Sequence, residues 1–161
     1  MKQKIQWEVK VSINAPVEQV WDVTQDLSLI PVYHPEVEKI EFLSDQTNRA
    51  EGVEYKCIIP EGKPRSGSCV EKVVENDKYK KTTTLAVEDT WGLSEMLKNY
   101  TTDLIFEKID DTTTTLHFQG YYEPIGFKNK ILNILILRRV MKKRGKVVLI
   151  GIKDLIEKKL D

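Results

Sequence analysis

The C-terminal stretch from Lys130 to Leu160 constrains the fold of this chain more than any other segment. It contains no proline, and about thirty residues at about 1.5 Å each form a helical rod of roughly 45 Å. A glycine inside a helix costs up to about 1 kcal/mol relative to alanine, so we expect a neighbouring side chain or a ligand to need the space beside Gly145. One stripe at helical spacing is predicted to be buried: Ile134, Leu137, Met141, Val148, Ile152, Leu155 and Ile156.

Length and composition indicate a globular protein. At 161 residues the chain can bury a sizeable core, and we expect residues 1–161 to form one domain. Hydrophobic residues make up 40% and charged residues 31%, which is typical of soluble domains. No apolar run reaches about 18 residues, so no membrane span is expected. The segment after Met1 alternates like a strand and is not a signal peptide. With two cysteines, the chain is predicted to be cytoplasmic.

The charge is unevenly distributed, although the net charge is zero. Residues 1–127 carry 14 Lys/Arg and 22 Asp/Glu, whereas residues 128–161 carry 11 Lys/Arg and 3 Asp/Glu. No acidic residue lies between Lys128 and Lys153. Two explanations are open: a cationic helix lying on an acidic sheet, or attraction to an anionic membrane surface, ligand or polymer. We expect no nucleic-acid partner.

Alternation of apolar and polar residues predicts a sheet ahead of the terminal helix. The clearest strand is 4–13, in which Ile5, Trp7, Val9, Val11 and Ile13 share one face. Two short helices follow, because prolines break the next stretch. Six further strands are predicted at 38–43, 53–59, 67–75, 78–87, 98–109 and 112–122. Short links between consecutive strands favour a curved antiparallel sheet with the long helix on its concave face.

Several segments resemble a known superfamily. The run Val11-Ser-Ile-Asn-Ala-Pro-Val-Glu-Gln-Val-Trp-Asp-Val is similar to the opening of START-like helix-grip proteins. Tyr33-His-Pro-Glu-Val-Glu-Lys-Ile resembles the segment that leads into their second strand, although many relatives have Trp at position 33. Tyr121-Tyr122-Glu-Pro and the Leu/Arg-rich helix resemble their ending. The superfamily includes birch-pollen-allergen-like proteins and the polyketide cyclase/dehydrase and lipid-transport families.

The resemblance implies an α+β helix-grip fold, with a seven-stranded sheet around the last helix and a deep cavity between them. Such cavities hold lipids, quinones, sterols or polyketides, and a few relatives are cyclases or dehydratases. We therefore expect a carrier or sensor of a hydrophobic small molecule, with no cofactor. An enzyme of cyclase or dehydratase type is the alternative, and a membrane-binding or partner-binding module is a third.

Strand alternation and the helical stripe give a set of candidate cavity residues. The phase of the strand at 67–75 is ambiguous, so it contributes none. A second explanation is open, since these side chains can also simply fill a core. The candidates are Tyr33, Tyr55, Cys57, Leu85, Trp91, Tyr100, Thr102, Phe118, Gly120, Tyr122, Arg138, Met141 and Gly145. Trp91 belongs to the unusually apolar loop 90–97, which is predicted to cover the cavity mouth or the edge of a core.

Catalytic and metal-binding motifs are scarce. His117 is predicted to face solvent and His34 to lie in a turn, and no His/Cys cluster has metal-ligand spacing. Cys57 and Cys69 flank a loop and are expected to be free thiols, although a disulfide between them is geometrically reasonable. Arg138 lies near the apolar arc of the helix, where it either pairs with an anionic ligand group or extends to solvent.

A second apolar stripe lies roughly opposite the first: Leu132, Ile136, Val140, Val147 and Ile150. Basic residues are interleaved with it, namely Arg139, Lys143 and Lys146. Three explanations are open: contact with an anionic membrane, a homodimer contact with an acidic patch on another chain, or a change of helical phase that buries the stripe internally.

Overall fold

The structure, a computed structural model, describes residues 3–62 and 66–158. Within these residues one seven-stranded sheet forms, and all of its neighbouring strands are antiparallel. The strands are β1 (Ile5–Ile13), β2 (Lys39–Phe42), β3 (Glu54–Ile59), β4 (Gly67–Asp77), β5 (Lys81–Asp89), β6 (Leu97–Lys108) and β7 (Thr114–Pro124). Their order across the sheet is β1-β7-β6-β5-β4-β3-β2. The two edge strands, β1 and β2, are consecutive in the chain and are linked by the short helices.

The helices lie on one side of this sheet and at its ends. They are α1 (Val17–Gln25), α2 (Ile30–Tyr33), α3 (Leu93–Met96), α4 (Gly126–Leu132) and α5 (Arg138–Lys158). A 3₁₀ turn at Leu27–Leu29 joins α1 to α2, and a π-helical turn at Asn133–Leu137 joins α4 to α5. The C-terminal helical segment therefore runs for 33 residues. This arrangement confirms the predicted α+β helix-grip fold, in which a seven-stranded antiparallel sheet wraps a long C-terminal helix.

The strand bounds lie within a few residues of the predicted ones, and the main differences concern the terminal helix and the loop before β6. The terminal helix begins at Gly126, earlier than the expected Lys130. Pro124 and Ile125 precede it and therefore do not interrupt it. Its expected end at Leu160 lies outside the described residues. The apolar loop between β5 and β6 contains a short helix, α3, that the sequence pattern did not indicate.

Helix α5 crosses the concave face of the sheet and packs against β1 and α2. Its contact with β1 centres on Trp7, whose indole is clamped between two glycines. A methyl group on Gly145 would lie 2.7 Å from Cζ3 of Trp7, and one on Gly120 of β7 would overlap the same indole. The space expected beside Gly145 is therefore filled by Trp7.

A third glycine sets the distance between α5 and α2. Any side chain on Gly151 would run into the carbonyl group of Tyr33, so the helix backbones touch at this point. Tyr33 is thereby held with its ring buried under α5. Close backbone contact is a physical reason for a glycine in the middle of a helix.

The helical stripe is correct except at its beginning. Leu137, Met141, Val148, Ile152 and Ile156 are buried, but Ile134 is 64% exposed. The π-helical turn adds a residue to the helical repeat and moves Asn133 into the buried position instead.

The predicted inner face of β1 is also wrong at one position, Ile5, which is 44% exposed. The register between β1 and β7 shifts between Ile5 and Trp7, so the alternation does not extend to the first residue of the strand.

The second apolar stripe is not buried within the chain. Ile136, Val140, Val147 and Ile150 are each more than a third exposed, and Leu132 is half-buried. The helical phase does change at the π turn, but most of the second apolar stripe remains exposed to solvent. The internal-packing explanation is therefore wrong.

Candidate functional site

A cavity of about 150 Å³ lies between the concave face of the sheet and α5. Alternate residues of the central strands form its floor, and one face of the helix forms its roof. The floor includes Cys57, Cys69, Thr84, Ala86, Thr102, Leu104 and Phe118. The roof consists of Met141, Gly145, Val148 and Ile152. About 150 Å³ is the space of one benzene ring, which such apolar cavities are known to take up.

One part of the cavity wall is polar and carries both a cation and an anion, Arg49 and Glu71. The Arg49 guanidinium donates through Nε to the Thr24 carbonyl at 3.1 Å and through Nη1 to Oγ1 of Thr84 at 3.0 Å. Tyr55 supports both charged groups. Its hydroxyl donates to Oε2 of Glu71 at 2.6 Å, and its ring centre lies 5.3 Å from the guanidinium carbon. The buried side chain of Tyr55 therefore holds both charged groups of the polar wall in place.

Tyr33 completes this polar wall from α2. Its hydroxyl oxygen is buried and has Arg49 as its hydrogen-bonding neighbour in the described part of the chain. Burial raises the pKa of Tyr33, and the positive charge of Arg49 partly opposes that rise. The hydroxyl of Tyr33 can exchange its contact with Arg49 for a hydrogen bond to a polar group of a bound molecule.

A second charged group lies where α2 ends beside α5. Glu36 forms an ion pair with Arg144, and both line the cavity together with His34. His34 accepts a hydrogen bond at Nδ1 from the Glu36 backbone N–H at 3.3 Å. Burial, reinforced by the charge of Arg144, lowers the pKa of His34 to about 4. His34 is therefore neutral at physiological pH.

The β5–β6 loop contributes apolar residues to the cavity through Trp91 and Leu93. Asp89 holds this loop in shape. Its carboxylate accepts backbone N–H bonds from Trp91 at 3.1 Å, Leu93 at 2.8 Å and Ser94 at 2.8 Å. Burial of the carboxylate opposes ionisation, but these hydrogen bonds outweigh it and lower the pKa of Asp89. Trp91 and Leu93 therefore line the cavity, and the role of the loop as its lid stays a prediction.

The two cysteines lie opposite each other on β3 and β4 and are both free. Both line the cavity. Burial, together with the negative charge of Glu71, raises the pKa of the Cys57 and Cys69 thiols. They are therefore protonated and apolar in character at neutral pH.

The cavity brings together most of the residues expected there from sequence. Eight of the candidates line it: Tyr33, Cys57, Trp91, Tyr100, Thr102, Phe118, Met141 and Gly145. Their part in binding a ligand stays a prediction.

Two other candidates, Leu85 and Gly120, do not line the cavity. Leu85 lies on the opposite face of β5, since Thr82, Thr84 and Ala86 face inward. Leu85 was expected inside because it is the apolar member of a threonine-rich strand, but here Thr82 and Thr84 face the cavity. Gly120 faces inward, yet the indole of Trp7 covers it.

The remaining three candidates are held in polar contacts next to the cavity. Tyr55 is fully buried behind Glu71. Tyr122 donates to Oδ1 of Asn133 at 2.7 Å, and Arg138 donates through Nε and Nη2 to Oε1 of Gln6 at 3.0 and 2.8 Å. Arg138 thus neither faces the cavity nor extends freely to solvent, because Gln6 anchors it to β1.

Sequence reasoning found Tyr33 but missed both charged residues of the polar wall. Glu71 lies on the strand whose phase was ambiguous, and β4 contains two register irregularities that disturb its alternation. Arg49 lies in a polar segment that resembles an ordinary surface turn. Trp7 was assigned to the inner face of β1 but not to the cavity. No sequence motif marks any of the three.

Metal binding has no obvious place in the described part of the chain. Among residues 3–62 and 66–158, no group of three or more His, Cys, Asp or Glu side chains could hold a metal ion. No helix in these ranges is long and apolar enough to cross a membrane.

Comparison with solved structures shows the same fold at low sequence identity. Norcoclaurine synthase from Thalictrum flavum, a point mutant in complex with a transition-state analogue, is 15% identical, with a TM-score of 0.76 over 99% of this chain and 98% of that chain. The Zhui aromatase/cyclase from Streptomyces sp. R1128 is 14% identical, with a TM-score of 0.74 over 99% and 97%. A protein from Thermus thermophilus is 18% identical, with a TM-score of 0.69 over 96% and 99%.

Comparison of sequences assigns the chain more specifically. No curated protein matched it. The sequence model of one family, described as "Polyketide cyclase / dehydrase and lipid transport", matches residues 4–157, which is nearly the whole chain. Both this match and the fold agree with the resemblance drawn from the sequence motifs. The chain therefore belongs to the polyketide cyclase / dehydrase and lipid transport family.

Proposed function

We propose that the cavity binds a small hydrophobic molecule of about one ring that carries a single uncharged polar group. The observation that carries the proposal is the cavity itself, an apolar space of about 150 Å³ with one polar wall. A larger lipid, quinone or polyketide would fit only with part of its structure outside this space. Two reduced, buried cysteines support a cytoplasmic location.

The polar wall favours a hydroxyl or carbonyl group over a carboxylate. Arg49 and Glu71 carry opposite charges, so the wall as a whole offers no net charge to an anion. A hydroxyl group can donate to Glu71 and accept from Arg49 or Tyr33, whereas a carboxylate would be repelled by Glu71. Burial of a charge without a full partner is expensive, and burial of a paired hydroxyl is not.

Relatives with this fold take molecules of suitable size. Norcoclaurine synthase from Thalictrum flavum was determined in complex with dopamine and hydroxybenzaldehyde. At 15% identity this likeness shows the shared fold alone and leaves the size and identity of the guest open.

The test is a titration with three probes that share a methylated benzene ring and differ in their polar group: toluene, p-cresol and p-toluate. Binding is followed by NMR from the amide shifts of cavity residues. We expect p-cresol to bind more tightly than toluene because its hydroxyl pairs with the polar wall. We expect p-toluate to bind most weakly. Tightest binding of p-toluate would contradict the proposed neutrality of the polar wall.

Two adjacent residues on opposite faces of β5 supply matched variants. Ala86→Phe puts a ring into the cavity, while Leu85→Phe puts the same ring on the outer face. We expect Ala86→Phe to weaken p-cresol binding at least about tenfold, and Leu85→Phe to leave it unchanged. Equal affinities in the two variants would refute the cavity as the binding site.

An enzymatic function of cyclase or dehydratase type is a second candidate, favoured by the carboxylate and guanidinium on one cavity wall. Glu71 can take a proton from the carbon next to a carbonyl, while Arg49 and Tyr33 stabilise the enolate oxygen that forms. The test is deuterium exchange into cyclohexanone in D₂O. Faster exchange with the wild-type protein than with Glu71→Gln supports catalysis, and equal rates for both refute it.

A further inference from the structure

The first turns of the C-terminal helical segment expose an unusual number of large apolar side chains. Phe127 is 79% exposed, and Ile131 is 43% exposed one turn later. In the π turn three consecutive residues face solvent: Ile134 at 64%, Leu135 at 60% and Ile136 at 53%. We call these five residues the docking face. Exposed apolar patches of this kind mark contact sites on soluble domains.

The π turn creates this exposure. Its first and last residues, Asn133 and Leu137, are buried, and the three residues between them are exposed. Asn133 is fixed by the Tyr122 hydroxyl at 2.7 Å and by its own donation to Oε1 of Gln6 at 3.1 Å. Hydrogen bonds hold the π turn to β1 and β7. The exposure of these three consecutive apolar residues is therefore not the result of a frayed helix end.

Basic residues surround the docking face. Lys128 and Lys130 lie within it along the chain, and Arg139, Lys142 and Lys143 follow on the exposed side of α5. None of these five forms an ion pair with a residue in the part of the chain that the structure describes. Nor does any acidic residue lie between Lys128 and Lys153 to offset them. The explanation that these cations rest on an acidic sheet does not apply to them.

We propose that this face docks the protein on an anionic lipid membrane. Apolar side chains on one side of a helix enter the boundary between head groups and acyl chains, while flanking lysines and arginines meet lipid phosphates. Both components are present here on one helical segment, and no helix in the described residues is long and apolar enough to cross a membrane.

Charge argues against a symmetric contact between this face and the same face of a second copy. A symmetric dimer places the same face of two subunits together, so it brings two sets of unpaired cations into contact. Like charges at an interface oppose association, whereas an anionic bilayer attracts every one of them.

The docking face also adjoins the β5–β6 loop, which lines the cavity. The Ile125 backbone N–H, one residue before α4, donates to the Met96 carbonyl at 2.8 Å. Met96 ends α3, whose Leu93 lines the cavity together with Trp91. Docking would bring this loop close to the bilayer. The docking proposal itself is independent of what the cavity binds.

The experiment is flotation of the full chain with vesicles of phosphatidylcholine and phosphatidylserine, compared with vesicles of phosphatidylcholine alone. We expect flotation only with the anionic vesicles, and less of it at high salt. The variant Phe127→Ser/Leu135→Ser should abolish it. Val32→Ser/Leu43→Ser is the matched control, because Val32 and Leu43 are 62% and 52% exposed outside the face. The control should float like the wild type.

The charge component has its own variants. Lys128→Gln/Lys130→Gln should weaken binding to anionic vesicles about fivefold for each lysine removed. Lys10→Gln, on the exposed face of β1, should have no effect. Light scattering of each variant gives its mass in solution. No flotation, equal flotation of the two serine variants, or a dimer that Phe127→Ser/Leu135→Ser converts to a monomer would each overturn the proposal.

Discussion

Adding one methyl group to the helix at Gly145 should have opposite effects on stability in two backgrounds. In the wild type, the new Cβ of Gly145→Ala would lie 2.7 Å from Cζ3 of Trp7 and 3.3 Å from Cδ1 of Phe118. Overpacking of this kind costs about 1–3 kcal/mol. Alanine is favoured over glycine inside a helix by up to about 1 kcal/mol. We therefore expect Gly145→Ala to destabilise the wild type by about 0–2 kcal/mol.

In a Trp7→Phe background the same methyl group should be stabilising. Phenylalanine lacks the outer ring atoms of tryptophan that Gly145 approaches most closely, so most of the overpacking disappears and only the 3.3 Å contact with Cδ1 of Phe118 remains. The helix preference for alanine is unchanged. We expect Gly145→Ala to add up to about 1 kcal/mol of stability there. The coupling between the two substitutions is then about 1–3 kcal/mol, which is large for a double-mutant cycle.

The assay is urea unfolding followed by far-UV circular dichroism, since one of the tryptophans is replaced. Gly151→Ala is the control, because its methyl group meets the backbone of Tyr33, which Trp7→Phe does not alter. It should destabilise both backgrounds equally. The reasoning is refuted if Gly145→Ala changes the free energy of unfolding by the same amount with Trp7 and with Phe at that position.

Three further predictions concern pH, the loop and the thiols. Because the pKa of His34 is about 4 in the folded protein and about 6.5 when unfolded, the unfolded state binds the extra proton between these values. Stability should therefore fall by about 2 kcal/mol from pH 7 to pH 5, and His34→Gln should remove that part of the loss; an unchanged pH profile would contradict it. Asp89→Ala should speed hydrogen exchange at the Trp91 and Leu93 amides and cost about 1 kcal/mol, whereas unchanged exchange would show that other contacts hold the loop. Cys57 and Cys69 should react slowly with Ellman's reagent at neutral pH until urea unfolds the chain, and rapid reaction in the native protein would show that the cavity is open to solvent.

The overall fold could be predicted from sequence because its main signals are local. Alternation identified the strands, and the apolar stripe identified the helix that the sheet wraps. These patterns survive because each strand has one buried face and the helix has one buried arc. The apolar part of the cavity followed from the same alternation, since Phe118, Thr102 and Met141 lie where the pattern puts them.

The errors lie where the local period changes. The π turn shifts the helical phase, so Ile134 is exposed and Asn133 is buried. On β5, Thr82 and Thr84 face the cavity and Leu85 faces outward, which hydrophobicity alone ranks the other way. No single-sequence pattern encodes such tertiary preferences.

The two charged residues of the polar wall could not be predicted, because they come from distant parts of the chain. Arg49 is placed by its hydrogen bonds to Thr24 and Thr84, and Glu71 by the hydroxyl of Tyr55. Each is a common residue in an unremarkable local context. Only the folded sheet brings the two charges to one wall of the cavity.

The most direct test of the central claim is to locate a bound probe by NMR. Isotope-filtered NOEs between p-cresol and the protein report contacts of about 5 Å or less, within the range of packed side chains. We predict NOEs from the ring to the Met141 and Ala86 methyl groups, which lie on the roof and floor of the cavity. NOEs confined to exposed residues such as Phe127 or Val32, or no NOEs at a concentration where p-cresol binds, would contradict the cavity as the binding site.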